Sequence, residues 1–177
     1  AVGSANDAAV AASEYLAGSE AGFVDKMNAK AAELGMNDTH FANSNGLPSE
    51  NHYTTAADLA VLAQNIVNNY PQILEYTSIK HYTLRQNSAK AFVLDNKNKL
   101  LWWYEGADGL KTGWIGAESG YNVAATAQRD DMRLIAIALG SEKTYGNFRD
   151  AMKLFDFGFK NYHYRRLYEA GDIVDYC

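Results

Sequence analysis

Two apolar runs separated by four residues constrain this chain more than any other feature. Residues 120–128 read GYNVAATAQ and residues 133–139 read RLIAIAL, with Arg129, Asp130 and Asp131 on the connection. Both runs have the composition and spacing of strands, and a tight polar turn joins them as an antiparallel hairpin, since a parallel crossover needs about a dozen residues. Asp108 to Ile115 lies just ahead of the hairpin and extends it into a meander. Beyond it, Phe148, Met152, Phe155 and Phe159 alternate spacings of four and three, which predicts one aromatic stripe along a helix from about Thr144 to Tyr162. Such a stripe reads as core packing rather than as a cofactor box.

The first half has helical punctuation. Asn6 and Asp7 precede an alanine-rich run through Leu16, with Gly18 as its stop. From Glu20, the residues Phe23, Met27, Ala31 and Leu34 recur at helical spacing, and Gly35 stands where a left-handed C-terminal cap is expected. Thr55 and Asp58 form a capping-box pattern ahead of Leu59, Leu62, Ala63 and Ile66, and Pro71 blocks continuation. Ile79 to Arg85 alternates as a further strand. Helices first, then an antiparallel sheet, then one long packing helix is the α+β pattern.

A chain of 177 residues, 47% hydrophobic, holds a core without metal or disulfide staples. Its one cysteine, Cys177, builds neither a disulfide framework nor a zinc knuckle. Sixteen basic against 21 acidic residues give a net charge of −5, which argues against a non-specific nucleic-acid binder. Lys160, His163, Arg165 and Arg166 do interleave with Tyr162, Tyr164 and Tyr168, but on an acidic chain such a cluster reads as a solvated face. No run approaches the roughly 20 apolar residues of a membrane helix, and Ala1 to Val10 has no export-signal pattern.

Most candidate chemistry fails on spacing. His40, His52, His81 and His163 lack metal-ligand spacing, and the stretch from Asp95 to Lys99 puts lysines where a calcium loop needs oxygen ligands. Phosphate-loop and dinucleotide fingerprints are missing as well, so no metal and no cofactor is expected. Two tripeptides survive: Ser4-Ala5-Asn6 ahead of the first helix, and Lys111-Thr112-Gly113 inside the strand after Asp108. Ser-x-Asn by itself reads as a helix cap. The ordered pair means more, because Lys-Thr-Gly with a Ser-x-Asn element and a Ser-x-x-Lys nucleophile is the signature of penicillin-binding proteins and class A β-lactamases.

The chain resembles the serine D-alanyl-D-alanine carboxypeptidases, the low-molecular-mass penicillin-binding proteins. The likeness runs through SANDAAVA at the front, LGMNDTHFANSNGLP with HYTTAADLA after it, NKNKLL from Asn96, DGLKTGW from Asp108, GYNVAATAQRDDMRLI from Gly120 and KLFDFGFKNY from Lys153. It implies that residues 1–163 form the later portion of a β-lactamase/transpeptidase-like fold, with 164–177 leading toward a small β-rich domain. It also implies removal of the terminal D-alanine from peptidoglycan stem peptides through an acyl-serine, capture of β-lactam antibiotics, and a place on the outer face of the bacterial cytoplasmic membrane.

Carried over by residue, the resemblance gives Ser4 proton transfer to and from the leaving amine, and gives the Asn6 amide the substrate's peptide carbonyl. Lys111 and Thr112 would bind the terminal carboxylate, Gly113 would let the substrate approach the strand, and the Trp114 N–H would be an oxyanion donor.

Three departures stand out. Ala5 replaces the glycine common at that position, and Trp114 and Ile115 follow the Lys-Thr-Gly triad where many relatives have His or Tyr, then Thr. No Ser-x-x-Lys exists in the chain: Ser78, Ser88 and Ser141 each stand two residues before Lys80, Lys90 and Lys143, a spacing that does not put both side chains on one helix face. The resemblance implies a nucleophile upstream of these residues, in another part of the same protein. A class A β-lactamase fits less well, since its second motif would be Ser-Asp-Asn and no glutamate-bearing deacylation loop is visible. The rival of another class is a non-catalytic peptidoglycan-binding or inert fragment, for which Trp102, Trp103 and Tyr104 could stack on sugars, although aromatics ahead of a strand read first as core.

Overall fold

The hairpin forms, and it is tighter than its sequence suggests. In the computed structural model, which describes residues 1–165, 167 and 168, strand β4 (Tyr121–Arg129) pairs antiparallel with β5 (Met132–Ser141), the ladder running to Arg129 opposite Met132. The turn is thus Asp130-Asp131, and Asp130 takes the left-handed backbone (φ 48°) that aspartate tolerates. β3 (Ala107–Gly113) completes the meander in the order β3-β4-β5, ending two residues before the expected Ile115.

The remaining elements follow the α+β order. Helices α1 (Asn6–Ala17), α2 (Glu20–Glu33), α3 (Ala56–Asn69) and the short α4 (Ile73–Thr77) come first, and α6 (Gly146–Asn161) follows β5. Gly18 and Gly35 do adopt left-handed backbones past α1 and α2. Thr55 caps α3 by accepting from the Asp58 N–H at 3.1 Å, but the Asp58 carboxylate does not complete the capping box. It accepts instead from the Asp38 N–H and the Thr39 hydroxyl, fastening the loop between α2 and α3. Two elements went unread in the sequence: β2 (Phe92–Asp95), which pairs with β1 (His81–Leu84) as a separate two-stranded sheet, and the single-turn helix α5 (Leu100–Trp103).

Strand alternation divides the work of the meander. Val123, Ala125 and Ala127 of β4 and Ala136 of β5 turn to one face and are buried with Leu100, Tyr104, Phe148, Ala151 and Phe155. Phe148 and Phe155 of the aromatic stripe are buried, and Met152 and Phe159 pack at the margin of the same cluster. The missing side chain at Gly158 of α6 lets the helix approach the sheet closely: a Cβ there would stand 2.5 Å from Leu134 Cδ1 of β5. The opposite face, with fully buried Thr126, is covered by α3 and α4.

The aromatics before β3 divide. Tyr104 is core, its hydroxyl donating to Asp156 at 2.8 Å and its pKa pushed up to about 12, chiefly by burial. Trp103 is half-exposed but packs edge-on against Tyr145 and Phe148, and Trp102 lies beneath the Lys80 and Lys99 ammonium groups. Of the basic cluster, Lys160 closes α6, His163 and Arg165 are exposed, and Arg166 lies outside the described residues, as do residues 169–177 of the expected exit segment, Cys177 included.

The α6 contact predicts its own test. Phe155 is 1% exposed, so Phe155→Ala should cost about 3–5 kcal/mol of stability, measured by urea denaturation.

Candidate active site

The two tripeptides, more than a hundred residues apart in sequence, meet at one hydrogen bond. The Lys111 ammonium on β3 donates to Ser4 Oγ at 2.8 Å and to its neighbour's carbonyl, that of Thr112. Neither polar residue of Ser4-Ala5-Asn6 is a cap. Ala5 occupies the N-cap position of α1 with no side-chain hydrogen bond, and Asp7 serves the first turn by accepting from Ala8. Ser4 sits in the left-handed region at φ 51°, a conformation that costs a serine about 1–3 kcal/mol. That backbone sets its hydroxyl beside the strand rather than over the helix end. Asn6, on the first turn of α1, is exposed.

Lysine carries three N–H donors, and two of them are committed here. The third has no partner among the described residues. Part of the Lys111 side chain is open to solvent, yet the protein around the ammonium strips enough water to lower its pKa below the ordinary lysine value. Lys30 shifts the other way, raised by its 2.6 Å contact with Glu33.

Gly113 and Gly109 lack side chains for different reasons. A Cβ on Gly109 would stand 2.4 Å from Thr77 Oγ1, so the fold itself requires glycine there. A Cβ on Gly113 would meet only the Asn122 Cβ at 3.7 Å, an ordinary contact. The fold does not need that glycine, and the bare backbone at the end of β3 faces open space. Beyond it, the Ile115 N–H is taken by Ser119 Oγ at 3.2 Å, whereas the Trp114 N–H has no partner among the described residues. The Trp114 ring is exposed and stacks on Tyr121 with 6.0 Å between centroids.

Sequence reading missed the residues that hold this edge. Asn122 donates to the carbonyls of Ser119 and Gly120 and accepts from the Gly140 N–H, fixing the loop after Trp114. At the other end of β3, Arg133 reaches across from β5 to the Asp108 carboxylate at 2.8 Å and to the Thr126 hydroxyl at 2.9 Å. Two cavities, of about 290 Å³ beside α2 and about 410 Å³ between α3 and β5, contain none of the motif residues. The candidate site is an open strand edge beside a helix end.

A family model described as D-alanyl-D-alanine carboxypeptidase matches residues 1–143. D-alanyl-D-alanine carboxypeptidase DacF of Bacillus subtilis is 40% identical over 174 residues, 98% of this chain and 44% of the relative. DacC of Escherichia coli is 36% identical over 89% of this chain and 38% of its own length. Among solved structures, penicillin-binding protein D2 of Listeria monocytogenes in its cefotaxime-bound form superposes with TM-score 0.78 at 36% identity, over 88% of this chain and 62% of that one. The carboxypeptidase DacD of Francisella tularensis gives TM-score 0.85 at 29% identity, over 97% and 52%. The chain thus spans less than half the length of these curated relatives.

Two measurements check the site's physics. In a ¹³C NMR titration of the lysines, one resonance should have its midpoint below the others and below the ordinary value of about 10.4, and it should vanish in Lys111→Ala. Gly113→Ala should leave stability within about 0.5 kcal/mol of the parent in thermal melts, as a surface change does, whereas Gly109→Ala should lower it clearly.

Proposed function

We propose, for a chain that belongs to the D-alanyl-D-alanine carboxypeptidase family, that it supplies the carboxylate-binding and proton-handling side of a site that removes the terminal D-alanine from peptidoglycan stem peptides. The contact between Lys111 and Ser4 is the observation that carries this reading. An ammonium with one uncommitted donor attracts the substrate's terminal carboxylate by a charge-assisted bond, and the Thr112 hydroxyl adds a second. This preference for a free carboxylate confines cleavage to chain ends.

The same contact gives Ser4 its direction. Its oxygen accepts from Lys111, so its own proton is free to be given to the leaving amine. The acylated nucleophile is a serine of a Ser-x-x-Lys segment outside this sequence. Its oxygen attacks the carbonyl between the two D-alanines, the C–N bond breaks, and D-alanine leaves with the proton from Ser4. That proton is replaced from the nucleophile's side, and water then hydrolyses the ester. The Asn6 amide holds the preceding peptide carbonyl, and the Trp114 N–H supports the tetrahedral oxygen, a donor typically worth about 3 kcal/mol.

β-Lactams mimic this substrate and acylate the same serine, a reading supported by the cefotaxime and ampicillin complexes of the Listeria relative. The substrate places the protein in the bacterial envelope, at the outer face of the cytoplasmic membrane. No helix among the described residues is long and apolar enough to cross a membrane. Residues 1–163 are the later part of a transpeptidase-like domain.

In the full-length protein, Lys111→Ala should lower kcat/KM on a D-Ala-D-Ala peptide by more than tenfold, about 1.4 kcal/mol of transition-state stabilisation. A smaller loss removes the carboxylate role. Fluorescent penicillin should label that protein covalently, and a protein that binds stem peptide but takes no label is a binding module instead.

A further inference from the structure

The strand that carries Lys111 is held at its start by a side chain that none of the catalytic roles uses. Asn98 is 1% exposed and lies in the connection between β2 and α5. Its Nδ2 donates to the Gly109 carbonyl at 3.1 Å, and its Oδ1 accepts from the Leu100 N–H at 3.1 Å. Its own N–H is fixed in turn by Asn96 Oδ1 at 2.9 Å. Asn96, also buried, donates to the carbonyls of Thr77 and Ile79, and the Thr77 hydroxyl donates to the Asp108 carbonyl at 3.0 Å. Consecutive carbonyls of β3, at Asp108 and Gly109, are therefore both held from α4 and the β2-α5 connection. They stand at the irregularity where the β3-β4 register shifts, so ladder pairing alone does not fix the strand there.

We propose that Asn98 is a positioning residue for the substrate strand: by anchoring the Gly109 carbonyl it holds Lys111, two residues further on, within reach of Ser4. Two residues of strand cover about 6.6 Å and return to the same face, so a displacement at Gly109 passes directly to Lys111. The Gly109 Cα lies against Thr77, which leaves the strand no room to move toward α4. The bond from Asn98 opposes movement away. Both ends of that bond are buried, so losing it leaves a carbonyl without water or partner.

This inference rests on the reading of Lys111 as the carboxylate-binding group, and its test separates the two. Asn98→Ser keeps a short side-chain oxygen near the Leu100 N–H but cannot reach Gly109, and Asn98→Asp keeps the shape but sets a carboxylate oxygen against the carbonyl. In the full-length protein, kept well below its melting temperature, each should slow acylation by fluorescent penicillin about 100-fold, the cost of a roughly 1 Å misplacement. Each combined with Lys111→Ala should be no slower than Lys111→Ala alone, because the effect passes through that lysine. Unchanged acylation in the single variants overturns the proposal, and so does an additive loss in the double variants, which is the signature of a merely structural role. If Asn98→Asp does not fold, Asn98→Ser decides. If the parent itself takes no label, the acyl-serine reading fails. Asn98 is then judged by the lysine titration: an upward shift of the Lys111 midpoint in Asn98→Ser supports the proposal, and an unmoved midpoint overturns it.

Discussion

The close approach of α6 to the β4-β5 hairpin is the constraint from which the other placements follow. Alanines at 125, 127 and 136 present a low surface, and Ala151 and Gly158 present another, so Phe148 and Phe155 fill the space between helix and sheet. Larger residues at these positions would lift the helix and open the dense packing on which core stability depends. With one face closed in this way, β4 becomes the buried middle strand of the meander. β3 is left with one paired edge and one edge turned to Ser4.

An edge strand that offers its backbone to a ligand, as proposed for β3, cannot also be secured along that edge, and this one is secured at its ends. Arg133 and Thr77 hold Asp108, Asn98 holds Gly109, and Asn122 holds the loop past Gly113. Most of these partners are neutral amides and hydroxyls bonded to main-chain carbonyls. Such bonds are directional and leave no charge beside Lys111 to compete for its third donor. The one ionic tie, between Arg133 and Asp108, lies on the face covered by α3 and α4, where both charges are partly shielded and paired.

The sequence made the meander and the aromatic stripe legible because both rest on periodicity, and periodicity survives in any context that has one buried face. It made the Lys-Thr-Gly and Ser-x-Asn pair legible through order and rarity. It concealed β2, since Phe92 and Val93 are exposed and the four-residue strand is defined only by pairing with β1. It concealed the roles of Asn96 and Asn98 for a related reason. Read locally, the stretch from Asp95 to Lys99 is a polar loop that fails as a calcium site; its meaning lies in carbonyls 11 to 19 residues away. The expectation of a capping box at Thr55 was half met because Asp58 found distant donors, a tertiary contact that local pattern cannot see.

The Lys111-Ser4 contact is made against local preference on both sides. Ser4 holds a left-handed backbone with no glycine to ease it, and Lys111 keeps an ammonium where desolvation disfavours charge. The sign of the lysine's shift follows from linkage: its pKa is lower folded than unfolded, so the folded protein is penalised while the group is charged and recovers that stability as pH rises through the folded pKa toward about 10.4. Below the folded pKa the penalty is present in full. A fold selected for stability alone would place a methionine at 111 and a glycine at 4. That two independent strains converge on one hydrogen bond, and that this bond joins the only two motifs the sequence singled out, is the physical support for the proposal that it is the working centre of the site.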